Sequence, residues 1–161
     1  MDLGNIILGA IILTICIGPL VLLYFKSVNA NTKMLQSLKE IAQQHNCNIS
    51  KHEFCNNFAI GLDENNNYAF FFKQKEEVSI SQFVDLSEIQ DCKAVKRTST
   101  TKVKNEDITF FQKIELKFIP KNKSQAETTF ELYEPEDRQL SGELQLVDRW
   151  STQINEQLSK K

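Results

Sequence analysis

The chain predicts an α+β fold: an N-terminal apolar helix, a run of about seven short antiparallel strands, and one amphipathic helix at the C-terminus. Three observations point to it. Residues Ile6–Phe25 carry no charge. From Ile49 onward the apolar residues recur at every second position, the period of a strand. From Leu140 onward they recur at steps of three and four, the period of a helix face.

The first segment reads as a transmembrane helix, Ile6–Phe25, behind a short flank of residues 1–5. Twenty helical residues at about 1.5 Å each span about 30 Å, the thickness of a bilayer's hydrocarbon core. Tyr24 falls where an interfacial aromatic is favoured. The opening Met-Asp-Leu-Gly-Asn lacks the basic start of a cleaved signal peptide, but Val28-Asn29-Ala30 has the small-residue form of a cleavage site. Release of an exported domain after Ala30 is therefore the competing expectation. Lys26, Lys33 and Lys39 follow the helix, and only Asp2 and the α-amino group precede it. That asymmetry places the C-terminal domain in the cytoplasm of a single-pass cell-membrane protein. Of four cysteines, Cys16 lies in the apolar run. Cys47, Cys55 and Cys92 are odd in number, which suits free thiols in a reducing compartment.

Residues 26–46 read as a helical segment, because Met34, Leu35, Leu38, Ile41, Ala42 and His45 share one face. It either extends the membrane helix as a stalk or docks on the domain formed by residues 47–161. Strands are expected at Ile49–Phe54, Phe58–Leu62, Tyr68–Phe72, Val78–Leu86, Ile89–Arg97, Ile108–Ile119 and Thr128–Tyr133. Asp63-Glu-Asn-Asn-Asn67 reads as a turn, since Asp and Asn bond their own backbone and tolerate left-handed conformations. Tyr68, Phe70 and Phe72 lie on one face of their strand and Ala69 and Phe71 on the other, so that strand is covered on both sides. Thr98–Asp107 is polar and reads as a hairpin loop. In the last helix Leu140, Leu144, Val147, Trp150, Ile154 and Leu158 form the apolar stripe, with Pro135 upstream of its entry.

This element order, with Phe83-Val-Asp-Leu-Ser-Glu-Ile89 and Trp150 on the closing helix, resembles the bacterial membrane-anchored proteins with a pleckstrin-homology-like domain. The resemblance covers residues 49–158. It implies an antiparallel β-barrel of about seven strands closed by the C-terminal helix. No functional residue transfers with it, and folds of this kind host lipid binding, peptide binding and scaffolding alike.

The net charge of −2 gives no basis for a nucleic-acid partner. No Gly-x-Ser-x-Gly, phosphate-cradling glycine loop or His-Glu-x-x-His occurs, so no catalytic residue is expected and an enzyme is disfavoured. His45, Cys47, His52 and Cys55 have the donor types of a zinc site, but their spacing is not a common zinc pattern. The simpler reading is two polar histidines and two small buried cysteines, with no metal or cofactor. Lys93, Lys96, Arg97, Lys102 and Lys104 concentrate positive charge on one strand and the loop after it. They are candidates for contact with anionic lipid, set against the plainer reading of a solvated hairpin. The expectation is a membrane-anchored, non-catalytic binding or scaffolding module. Its partners are the bilayer, through residues 6–25, and membrane proteins or peptides taken at a sheet edge or helix–sheet groove.

Overall fold

The structure, a computed structural model, describes residues 3–75, 78–103, 106–136 and 140–160; before residue 27 it describes side chains only at Ile17, Pro19 and Val21. Helix α1 (Leu3–Gln44) comes first. Among the described residues no helix is long and apolar enough to cross a membrane. Most of Ile6–Phe25, the expected membrane helix, lies outside the residues whose side chains are described.

Helix α1 stops where the sequence supplies a left-handed residue. Asn46 has φ 56°, and the Cys47 N–H turns back to donate to the Ala42 carbonyl at 2.9 Å. An asparagine accepts this conformation at little cost, and the reversed bond satisfies an orphan carbonyl at the helix end.

Four strands follow, β1 (Lys51–Cys55), β2 (Phe58–Asp63), β3 (Tyr68–Lys75) and β4 (Val78–Asp85). They form an antiparallel sheet in chain order. A second antiparallel sheet holds β5 (Ile89–Val103), β6 (Glu106–Pro120) and β7 (Thr128–Tyr133), also in chain order. Helix α2 (Glu143–Ser159) closes the chain. The α+β class and the seven strands are as the sequence predicts. The closed barrel is not: neither sheet closes on itself. A 3-10 turn, Leu86–Glu88, separates β4 from β5, and the Asp85 carboxylate caps it by accepting from the Ser87 N–H at 2.8 Å. The chain thus leaves the first sheet and starts a second instead of continuing the ladder.

The expected loop at 98–107 is also corrected. β5 and β6 run through it, leaving only residues 104 and 105 between them, outside the described residues. Its threonines are polar but β-branched, which suits strands, and Thr100 and Thr109 bond across the ladder at 3.0 Å.

The main core lies between the two sheets and α2. Phe58, Ile60, Leu62, Ala69, Phe71 and Val84 from the first sheet meet Ile114, Leu116, Phe118, Phe130 and Leu132 from the second, with Trp150 and Ile154 from α2. A smaller core lies on the opposite face of the first sheet, where Ala59, Phe70 and Phe72 meet Met34, Leu38, Ile41 and Ala42 of α1. β3 is therefore buried on both faces, as its sequence predicts. Of the two alternatives for residues 26–46, the docked one holds from Met34 onward. Each buried Leu or Phe contributes about 1.5–3 kcal/mol, so the end of α1 is part of the fold.

Helix α2 spans the gap between the sheets. On the β1 side, the Trp150 Nε1–H donates to Glu53 Oε2 at 2.8 Å, and Arg149 pairs with the same carboxylate. On the β5 side, Asn155 Oδ1 accepts from the Cys92 N–H at 2.9 Å, while Ser151 and Asn155 donate to the Cys92 carbonyl. Among the described residues no buried side-chain nitrogen or oxygen lacks a partner.

Candidate functional site

Where α1 leaves the first sheet, a cleft of about 1060 Å³ opens between them. Met34 and Phe72 form its apolar floor. Lys33, Ser37 and Glu40 of α1 face Asn56, Asn57, Gln74, Lys75 and Glu136 across it. The β1–β2 turn supplies the two asparagines, and Asn56 adopts φ 48°, the left-handed form a two-residue hairpin favours. That turn is fixed from both sides: the Asn57 Nδ2–H donates to the Gln74 carbonyl at 2.8 Å, and the Gln74 N–H donates to the Asn57 carbonyl at 2.7 Å. Lys75 is bound to Glu134 at 2.6 Å and Glu136 at 3.1 Å, and those carboxylates raise its pKa.

Amides, both signs of charge and an apolar floor can take an extended main chain and bury one of its side chains.

The sequence-predicted metal candidates do not converge. Among the described residues no three His, Cys, Asp or Glu side chains are placed to hold a metal ion. His52 and Cys55 are an odd number of residues apart on β1 and point to opposite faces. His52 lies edge-on to Phe54, whereas Cys55 packs against the main core. His45 lies against Phe83, with ring centroids 3.8 Å apart, and Cys47 is buried in the smaller core. Burial, reinforced by nearby Glu143, pushes the Cys55 thiol up to about 12; burial and Asp91 do the same at Cys92. Burial also raises Cys47, with Asp63 adding to it. These thiols stay protonated and are poor nucleophiles.

The basic candidates are divided between two faces of β5. Lys96 points toward α2 and pairs with Asp148 at 2.6 Å. Arg97 meets the buried Glu115 at 3.4 Å, and Lys93 lies 3.7 Å from Asp91. Lys102 is exposed near the hairpin tip, and Lys104 lies outside the described residues.

The residues of the cleft escape a sequence reading. Only the Asn56-Asn57 pair carries a local signal, that of a turn; the rest meet because α1 docks. Comparison of the chain with protein-family models, curated proteins and solved structures finds no match.

Proposed function

We propose that the chain is a membrane-anchored, non-catalytic module that binds an extended peptide or protein segment in the cleft between α1 and the first sheet. The observation that carries this reading is that α1 itself walls the cleft. The helix that bears the apolar Ile6–Phe25 segment also forms half the site, so the ligand is presented close to the bilayer. Confinement to that surface raises the effective concentration of membrane-bound partners. Lys26, Lys33 and Lys39 support a cytoplasmic side for the domain, and the free Cys47, Cys55 and Cys92 agree with a reducing compartment. The backbone is helical through Ala30, which favours retention of the segment, because peptidases take extended chains. The non-catalytic reading draws on the chain's two histidines, which rest on aromatic rings, and on its protonated thiols.

Two measurements on the full chain in its native membrane test the proposal. The chain should remain in the pellet after alkaline carbonate extraction. A photoreactive residue at Glu40 should form a discrete adduct that Ser37→Trp, by filling the cleft, abolishes. Release by carbonate, or an adduct indifferent to that substitution, refutes it.

One observation favours a second reading, contact with anionic lipid through the β5–β6 hairpin: Ile108 and Phe110 stand 48% and 43% exposed near Lys102. Acidic partners already engage Lys93, Lys96 and Arg97, which weighs against it. Vesicle flotation with and without anionic lipid separates the two readings.

A further inference from the structure

The two sheets have four edges, and three of them are closed or charged. At the β5 edge, α2 takes both backbone groups of Cys92. β1 is short, carries Lys51 and Glu53, and is linked to α2 through Glu53. β7 carries Glu131 and is flanked by Glu127 and Glu134. Such devices keep strand edges from pairing with other chains.

β4 carries charge only at its ends, with Glu76 and Glu77 before it in sequence and Asp85 as its last residue. Val78-Ser-Ile-Ser-Gln-Phe-Val84 holds no charge, proline or glycine, and its ladder to β3 runs without a bulge. The register identifies which backbone groups face outward. The Leu86 N–H donates to the carbonyl of Asn67, the residue opposite it, at 2.8 Å, so the even-numbered residues of β4 bond toward β3. The N–H and C=O groups of Ser79, Ser81 and Phe83 therefore point away from the sheet. Among the described residues, no backbone bond outside the ladder reaches any of the three. All three residues are exposed, and Val78 at the strand's start is 65% exposed.

We propose that this edge pairs antiparallel with β4 of a second copy of the chain, joining two four-stranded sheets across a two-fold axis. The strand is self-complementary. With Gln82 opposite its own counterpart, Ile80 meets Val84, Ser81 meets Phe83, and Ser79 meets Asp85, whose carboxylate can accept from the serine hydroxyl. No like charges fall opposite one another, and the outward backbone groups of both strands are satisfied. A second copy brings apolar Val84 to Ile80 and the Asp85 carboxylate to Ser79 at both ends of the shared segment, by symmetry.

The test is the mass and cross-linking of the full chain in detergent micelles. The chain should be dimeric by light scattering. In a Cys16→Ser background, Gln82→Cys should form a disulfide-linked dimer, because facing residues of a non-bonded antiparallel pair lie about 4.5 Å apart at Cα, within disulfide reach. Ser81→Pro removes an N–H that the monomer does not use, and Ser81→Lys brings like charges onto the edge. Each should weaken association at least about tenfold, which is about 1.4 kcal/mol, with the Trp150 emission unchanged. A chain that stays monomeric, including one whose edge takes an added peptide instead, overturns the proposal. So does a dimer that forms no Gln82→Cys cross-link or that survives Ser81→Lys at full strength.

Discussion

At Gly61 the first sheet packs directly against Leu38 of α1, and substituting it tests whether that helix is built into the domain. A Cβ at position 61 would stand 2.8 Å from Leu38 Cδ2 and 3.1 Å from Ile49 Cγ2. Leu38 is fully buried, so its methyl group has little room to retreat. Forcing a methyl into a packed core costs about 1–3 kcal/mol. Replacing glycine by alanine returns about 0.5–1 kcal/mol by restricting the unfolded chain. Gly61→Ala should therefore destabilise by up to about 2.5 kcal/mol. Leu38→Ala alone should cost about 2–5 kcal/mol, the usual range for emptying a buried leucine site. In the double variant the new methyl enters the vacated space, so the combined cost should fall short of the sum by about 1–2 kcal/mol. The assay is urea unfolding of the full chain in detergent micelles, followed by the fluorescence of Trp150, the chain's single tryptophan and fully buried. Additivity to within about 0.3–0.5 kcal/mol would show that the two residues do not meet and would refute the docking of α1.

Three further outcomes are expected. The Cys92 thiol is held protonated to about pH 12, against 9.0 ordinarily, so the stability it contributes is intact below pH 9 and declines as pH rises toward 12. At about 1.4 kcal/mol per pH unit the loss reaches at most about 4 kcal/mol, and Cys92→Ala should flatten the fall in unfolding free energy between those limits; equal slopes in variant and parent would contradict this. At Asp63, burial pushes the carboxyl up, but hydrogen bonds from Asn66, Asn48 and Asn65 outweigh it and hold the pKa below its ordinary value. Its contribution is present above the ordinary carboxylate range and lost as pH falls. Asp63→Asn should thus cost about 1–3 kcal/mol at pH 7 and less at pH 3, and urea midpoints that differ equally at both would count against it. Glu53→Ala leaves the buried Trp150 N–H without its acceptor and should cost about 1–3 kcal/mol, whereas Glu53→Gln keeps an acceptor oxygen and should cost less. Equal losses in thermal unfolding would dismiss the hydrogen bond as the cause.

Features that rest on local periodicity were legible in the chain. The alternation in Tyr68–Phe72 forecast a strand buried on both faces, because side chains of a strand point alternately to either side whatever lies there. The stripe through Leu144, Val147, Trp150 and Ile154 likewise forecast α2 and its tryptophan anchor. Polar composition misled at Thr98–Asp107, where threonines read as loop residues sit in β5, paired with β6. Among the candidate sites, His45, Cys47, His52 and Cys55 lie close in sequence, but a helix end and the two faces of β1 separate them in space.

The sequence by itself determined the order and type of the elements and the uncharged apolar start, since these follow from the spacing of apolar residues along the chain. Only the tertiary structure decided that the strands form two open sheets, that α1 docks on the first of them, and that the cleft and the bare edge of β4 lie where they do. Each of these depends on residues far apart in sequence meeting across packed faces, such as Leu38 on Gly61 and Trp150 on Glu53. A local pattern carries the period of an element but not the identity of its neighbour.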